Sequence, residues 1–329
     1  MVLHIQHCFL CVVYAALGRR GAPDAIIERT NAMTTILVTG ATGDTGRPTV
    51  KELLKKGLKV RALARREDAR SQELASLGAE IVYGDITSLR DMRLAFDGVD
   101  RAYFCYPIAD GLVEAAVIFA QVAREQGVEH IVNLSHKQSR PDARSKVTQN
   151  HWLSEQVFKW SGIPTTNLRI TFFAEWLLYI STFIQRGRYV MPFNKDGRFA
   201  PLAAADTAKI IANILEKPEG HGGQAYQLHG PKEYSHEELA AEVGRVLGVD
   251  LPFEQLTVSA FLELAGLEDD TVLRRHFEAA ELDQQEGLLA GLDDIGTKII
   301  GGPLMTVEAF VNANRARFVR EAQTSVDRN

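Results

Sequence analysis

Eight consecutive residues, Thr39-Gly40-Ala41-Thr42-Gly43-Asp44-Thr45-Gly46, constrain this chain more than any other stretch. They lie between a short apolar run, Ile36-Leu37-Val38, and an amphipathic segment that carries Val50, Leu53 and Leu54 and ends at Gly57. Strand, glycine turn and helix in that order leave the amides of the helix N-terminus free to hold an anion, with the helix dipole in support. Gly40 allows the tight turn, Gly43 lets the backbone approach phosphate oxygens, and Gly46 lets helix and strand pack closely. Pro48 is tolerated because the first helical turn has no N–H partner to lose. Glycine spacing alone says little; its place after a buried strand, at the head of a run of βα units, makes it a dinucleotide signature.

That run is legible to residue 170. Strands are expected at Ile36–Val38, Lys59–Leu63, Ile81–Tyr83, Arg101–Cys105, His130–Leu134 and Thr166–Ile170. Helices are expected between them at 68–77, Leu89–Phe96, Leu112–Arg124 and 150–160. Most of these strands are too apolar to have a wet face, and every crossover holds a helix. The expected fold is therefore α/β, a doubly wound parallel sheet covered on both sides. Beyond residue 170 the rhythm changes. Phe172–Ile184 reads as one buried helix, too short to span a membrane, and it contains Glu175. Asp206 is placed to cap Thr207–Leu215, Ser235 and Glu238 form a capping box before Leu239–Leu247, and the last helix is expected at Val307–Val319. Residues 33–190 are read as the dinucleotide-binding domain and 191–329 as a smaller α+β substrate domain.

Residues 1–32 stand outside this pattern. The run 2–17 is mostly apolar, but it is short, is interrupted by His4, Gln6 and His7, and has its arginines after it rather than before. His4, His7, Cys8 and Cys11 are metal-ligand types at close spacing, yet nothing around them resembles a supporting shell. An upstream extension of unclear role, with no metal site, is expected. Thirty-seven Lys and Arg against forty-two Asp and Glu leave a net charge of −5. That charge offers no cationic face to a phosphate backbone, so a nucleic-acid partner is not expected. Three cysteines make no disulfide framework, which suits a reducing, cytoplasmic compartment, and no membrane association is expected.

The end of the second strand bears on the cofactor. NAD sites place an acid about 20 residues on from the glycine turn. Here the strand runs into Ala64-Arg65-Arg66, and Glu67 and Asp68 follow. A guanidinium at Arg65 would grip a 2′-phosphate, so NADP(H) is expected; the alternative is a solvated helix start. Asp85 and Ile86 follow the third strand, where Asp85 either meets the adenine or caps the next helix. Tyr106, after the fourth strand, walls the pocket or belongs to the core. Ser135, at the end of the fifth, contacts cofactor or substrate, or caps a helix.

None of the eight tyrosines has a lysine four residues later, so the tyrosine–lysine acid pair of short-chain reductases is absent. In its place are His151 and Glu155, at i and i+4, where the carboxylate would orient the imidazole. His151 would then bind the nicotinamide ribose or carry a proton, unless the two are only a surface pair. Phe172, Phe173 and Trp176 suggest a pocket for an aromatic or conjugated substrate, or plain core packing.

These residues resemble the NmrA-like group of atypical short-chain dehydrogenases/reductases. The resemblance rests on Thr39–Gly46, Arg65, Gly84-Asp85, and the stretch from His151 to Arg169 with its Glu155, Ser161-Gly162-Ile163-Pro164 and Leu168-Arg169. It covers nearly all of the chain from Met33. Ile170-Thr171 stands where the family commonly has proline. The resemblance implies a Rossmann fold, NADP(H), and an activity like that of quinone or triphenylmethane dye reductases, some of them in secondary metabolism. The expected function is NADPH-dependent hydride transfer to a small conjugated or aromatic acceptor by a monomer or homodimer. The alternative is a non-catalytic NADP sensor that acts through a partner protein.

Overall fold

The computed structural model describes residues 34–319. The motif of His4, His7, Cys8 and Cys11 lies outside the described residues.

Five βα units and a sixth strand follow in sequence order. The strands are β1 (Thr35–Val38), β2 (Lys59–Ala64), β3 (Glu80–Tyr83), β4 (Arg101–Phe104), β5 (His130–His136) and β6 (Thr165–Ile170). The helices between them are α1 (Gly46–Lys55), α2 (Ala69–Ser76), α3 (Leu89–Ala95), α4 (Leu112–Glu125) and α5 (Lys146–Ser161). After residue 170 come β7 (Phe172–Phe173), α6 (Trp176–Tyr179), α7 (Ser181–Ile184), β8 (Tyr189–Met191), β9 (Pro201–Leu202), α8 (Ala204–Glu216) and β10 (Ala225–Leu228). The chain continues through α9 (His236–Leu247), β11 (Phe253–Gln255), α10 (Val258–Ala265), α11 (Thr271–Gln285), α12 (Ile295–Ile300), α13 (Val307–Ala313) and α14 (Arg315–Phe318).

The main sheet has seven strands in the order β10-β6-β5-β4-β1-β2-β3, all parallel. Chain order reverses between β1 and β4, and that switch point opens a crevice at the carboxyl ends of the strands. One face of the sheet is filled by Phe96, Phe104, Phe119 and Phe158, which meet edge-on at centroid distances of 4.8 to 5.9 Å beneath α3, α4 and α5. The other face is covered by α1 and α8, through Val50, Leu53, Ile210, Ile211 and Ile214. A further core, built round Phe193, Phe199, Phe277, Val243 and Leu262, lies in the elements after residue 172. The chain nevertheless returns to the main sheet late, because β10 extends it beside β6.

Four local expectations are corrected. Phe172–Ile184 is not one helix: Phe172 and Phe173 pair in parallel with Pro201 and Leu202, and only two single-turn helices follow. A strand partner supplied by distant sequence outweighs the helical reading of an apolar run. Asp206 does not cap α8, which begins at Ala204; its carboxylate instead accepts from Lys209 Nζ and the Met305 amide. Helix α5 starts at Lys146, capped by the Ser145 hydroxyl, a turn earlier than expected. The closing helix breaks at Asn314 into α13 and α14. The capping box of Ser235 and Glu238 forms as expected. Among the described residues no helix is long and apolar enough to cross a membrane.

Candidate active site

A cleft of about 810 Å³ runs along the carboxyl ends of the strands. One end is built by the glycine turn. Gly40 has φ +59°, and a Cβ added at Gly46 would lie 2.1 Å from the Gly40 carbonyl oxygen, so helix and strand meet there only because Gly46 has no side chain. The Thr39 hydroxyl donates to the Tyr103 and Cys105 carbonyls and accepts from the Cys105 amide, which clamps the end of β1 to that of β4. The turn closes on itself through the Gly43 amide to the Gly40 carbonyl, 2.9 Å. Among the described residues, the amides of Thr42, Asp44 and Thr45 find no protein acceptor, and all three residues line the cleft. Thr45 is buried and Thr42 half-buried, where amides are normally paired, and with the exposed Asp44 amide they form a ready cradle for anionic oxygens. A dinucleotide pyrophosphate fits it.

Toward β2 the cleft is edged by Ala64, Arg65 and Arg66, and among the described residues neither arginine is in an ion pair. Gly84 and Ile86 also line the cleft, whereas the Asp85 carboxylate turns aside and accepts from the Thr87 amide and hydroxyl at 2.8 and 2.7 Å. Those bonds hold the Asp85 carboxyl below its ordinary range. Capping of α3 falls to Ser88. Tyr106 lines the cleft and donates to the Asp110 carbonyl, 2.6 Å.

Toward β5 and β6 the cleft changes character. Ser135 and His151 line it as expected, but the pairing of His151 with Glu155 does not form. Glu155 is buried and accepts from the Ser135 hydroxyl at 2.6 Å and from Arg169 through two bonds of 3.0 and 2.6 Å. A forked guanidinium from β6 is a far better partner for a carboxylate than a neutral imidazole, and it wins. Glu155 thus ties α5 to β5 and β6. His151 stacks on His136 instead, 3.6 Å between ring centroids, with His276 of α11 5.8 Å from His136. Burial and mutual repulsion keep these imidazoles neutral: His151 is pushed down to about 3, His276 to about 4, and His136 well below its usual value.

Phe172, Phe173 and Trp176 reach this end together, as expected. Trp176 contacts Phe277 of α11 at 5.2 Å and Tyr179 at 5.3 Å. Helix α11 forms the opposite wall, with Val272, His276, Ala280 and Asp283. Two side-chain ties cross the mouth: Tyr179 donates to Asp44, 2.5 Å, and Arg275 makes two bonds to the Asp110 carboxylate, 2.9 and 2.8 Å. Of the expected residues, only Gly46 and Asp85 stay off the cleft surface.

The NmrA-like family model matches residues 32–299. The chain belongs to the NmrA-like family. It is 30% identical over 287 residues to an NAD(P)H azoreductase of Xenophilus azovorans, an alignment that covers 86% of this chain and 99% of that protein. Quinone oxidoreductase 2 of Escherichia coli is 26% identical, over 84% of this chain and 97% of its own. Among solved structures, the NADPH complex of the Escherichia coli quinone oxidoreductase superposes with a TM-score of 0.76 at 24% identity, covering 85% and 99% of the two chains. The NADP(H) complex of Citrobacter sp. triphenylmethane reductase gives 0.74 at 23% identity, covering 84% and 99%.

Sequence reasoning missed His136, His276, Glu175, Tyr179 and Arg275 as cleft residues of this NmrA-like protein. His136 had a usable signal, since it ends a parallel strand at the edge of the crevice. His276 and Arg275 had none, because α11 reaches the cleft only through tertiary packing.

Proposed function

We propose that this protein is an NADPH-dependent oxidoreductase that passes hydride to a small conjugated or aromatic acceptor, a quinone, an enone or an azo compound. The observation that carries this reading is one continuous cleft with unpaired amides at one end and an aromatic and imidazole-lined chamber at the other. Bound NADPH supplies hydride there. The amides of Thr42, Asp44 and Thr45 hold its diphosphate, and Arg65 with Arg66 meets the 2′-phosphate. The curated relatives named for NAD(P)H-dependent azo and quinone reduction support the coarse statement, and the aromatic wall of Phe172, Trp176 and Phe277 supports a flat acceptor.

The chain contributes mainly placement. Two reactants held side by side in a closed cleft need no strong nucleophile or metal-ligand set. Neutral imidazoles at His136, His151 and His276 each keep one N–H to offer and one nitrogen to accept with, so they orient an acceptor oxygen or a ribose hydroxyl without adding charge. Within the part read as 191–329, α11 acts as the acceptor-side cover, while α8 and β10 complete the sheet of the dinucleotide-binding part 33–190. The working unit is a monomer or homodimer in the cytoplasm, with a small molecule rather than nucleic acid or membrane as its partner.

The test is NADPH oxidation followed at its absorbance band with a panel of quinones, enones and azo dyes. Acceptor-dependent oxidation is expected. Tight NADPH binding with no turnover on any acceptor would favour a sensor and reject the enzyme.

A further inference from the structure

We propose that Glu175 is the acid that protonates a neutral acceptor as it is reduced. This inference rests on the reading of the chain as an NADPH-dependent reductase and goes beyond it in assigning the proton.

Glu175 sits between β7, which follows β6 directly, and α6, lines the cleft, and faces Asp44 of the glycine turn. The 2′-phosphate arginines lie on the opposite, β2 side of the switch point, so the reacting half of a dinucleotide extends toward Glu175. Five carboxyl groups line this cleft among the described residues, and four are already engaged by side chains. Asp44 accepts from the Tyr179 phenol, Asp68 from Arg70, Asp110 from Arg275, and Asp283 from Thr148 and Arg140. Glu175 alone has no side-chain donor; both of its oxygens lie 3.0 Å from one backbone amide, that of Ala204 at the start of α8. Backbone amides need only one of the two oxygens, so the other can carry the proton of the acid form.

The surroundings favour that form. Phe172, three residues before Glu175, and Trp176, one after it, line the same cleft. The charged and titratable groups that face it are Asp44 from the glycine turn, Asp206 from α8 and Tyr179 from α6; Lys209 is paired with Asp206. Burial, opposed by the backbone amides of Glu175 itself and of Ala204 and reinforced by the two carboxylates, pushes Glu175 up to about 7. The imidazoles and phenols of the chamber are poorer acids at neutral pH. The imidazoles are neutral at pH 7, and burial raises the Tyr106 and Tyr179 phenols above their ordinary value.

The step balances as follows. A neutral quinone, enone or azo acceptor takes both electrons with one hydride from NADPH and needs one proton besides. The Glu175 O–H bond breaks, its electron pair stays on the carboxylate, the proton bonds to the acceptor oxygen or nitrogen, and water later reprotonates the side chain. A cationic triarylmethane acceptor becomes neutral on taking hydride and needs no proton at all.

Glu175→Gln keeps an oxygen for the Ala204 amide and nearly the same volume, but has no acid to give. With NADPH saturating, kcat is measured on a neutral naphthoquinone and on a cationic triarylmethane dye. The quinone-to-dye ratio is expected to fall about 100-fold in the variant, within the usual span of general-acid effects. The fall of quinone kcat above neutral pH in the parent should be missing in the variant. In the free proteins, infrared titration should show a protonated carboxyl band with a midpoint near 7 that Glu175→Gln removes. Equal losses on both acceptors would leave Glu175 as a mere anchor of α8, and an unchanged pH profile on the quinone would also overturn the assignment. A parent protein that turns over neither acceptor would reject the reductase reading itself, whatever the infrared titration shows.

Discussion

The two ends of the cleft are made in different ways. The glycine-turn end comes from one contiguous stretch, Thr39–Gly46, and its geometry is settled by backbone: a positive φ at Gly40, a missing Cβ at Gly46, three unpaired amides. The acceptor end is assembled from β5, β7, α5, α6 and α11, and its character is settled by side chains from positions 135 to 283. The contrast teaches that local chemistry can specify where a cofactor's phosphates go, whereas what the site reduces depends on long-range packing.

Perturbing each end separately sharpens that contrast. The largest effect is expected from Glu155→Ala, which leaves the half-buried Arg169 guanidinium and the Ser135 hydroxyl without their partner. Stability should fall by about 3 kcal/mol in a urea melt, at the low end for a broken buried pair because Arg169 retains some solvent. A loss below about 1 kcal/mol would mean that α5 is held elsewhere. Gly46→Ala comes next. Its Cβ would press on the backbone of Gly40, and a loss of roughly 1–3 kcal/mol is expected together with weakened NADPH binding by fluorescence titration. Binding intact in a destabilised variant would break the link between this packing and the cradle.

Smaller effects separate cofactor from acceptor. Arg65→Ala should weaken NADPH by about tenfold or more and leave NADH nearly unchanged, as the loss of a charge-assisted bond of about 1.5 kcal/mol predicts. Equal losses would place the 2′-phosphate elsewhere. The imidazoles give the smallest effect, a pH dependence. His151 and His276 are neutral in the folded protein down to about 3 and 4, while the unfolded chain takes up protons below about 6.5. Stability from their burial is therefore complete above about pH 7 and is lost as the pH falls toward 4. His151→Gln should reduce the acid loss of unfolding free energy, read from urea melts at pH 7 and pH 5, by an amount on the order of 1 kcal/mol. An unchanged loss would show that His151 titrates freely.

How far the sequence speaks follows the same division. The βα alternation from Ile36 to Ile170 placed six strands, because buried parallel strands and their crossover helices carry their signal locally. The seventh strand, Ala225–Leu228, carries no such signal: three of its four residues are not buried, and only its pairing with β6 makes it a strand. Phe172 and Phe173 read as helix because their partner, Pro201–Leu202, lies far along the chain. His151 was found from its spacing to Glu155, yet that spacing misled about its company. Arg169 was visible in the sequence, but the fork it makes to Glu155 depends on the register of β6 beside β5.

The central claim is that the free amides of the glycine turn hold the dinucleotide's diphosphate. Amide resonances of Thr42, Asp44 and Thr45, followed in isotope-labelled protein during titration with NADP, test it most directly. The account predicts that these three shift together and saturate with the same Kd as the Arg65 resonance. Resonances that stay in place while the nucleotide binds, or a protein that ignores the nucleotide at millimolar concentration, would contradict it.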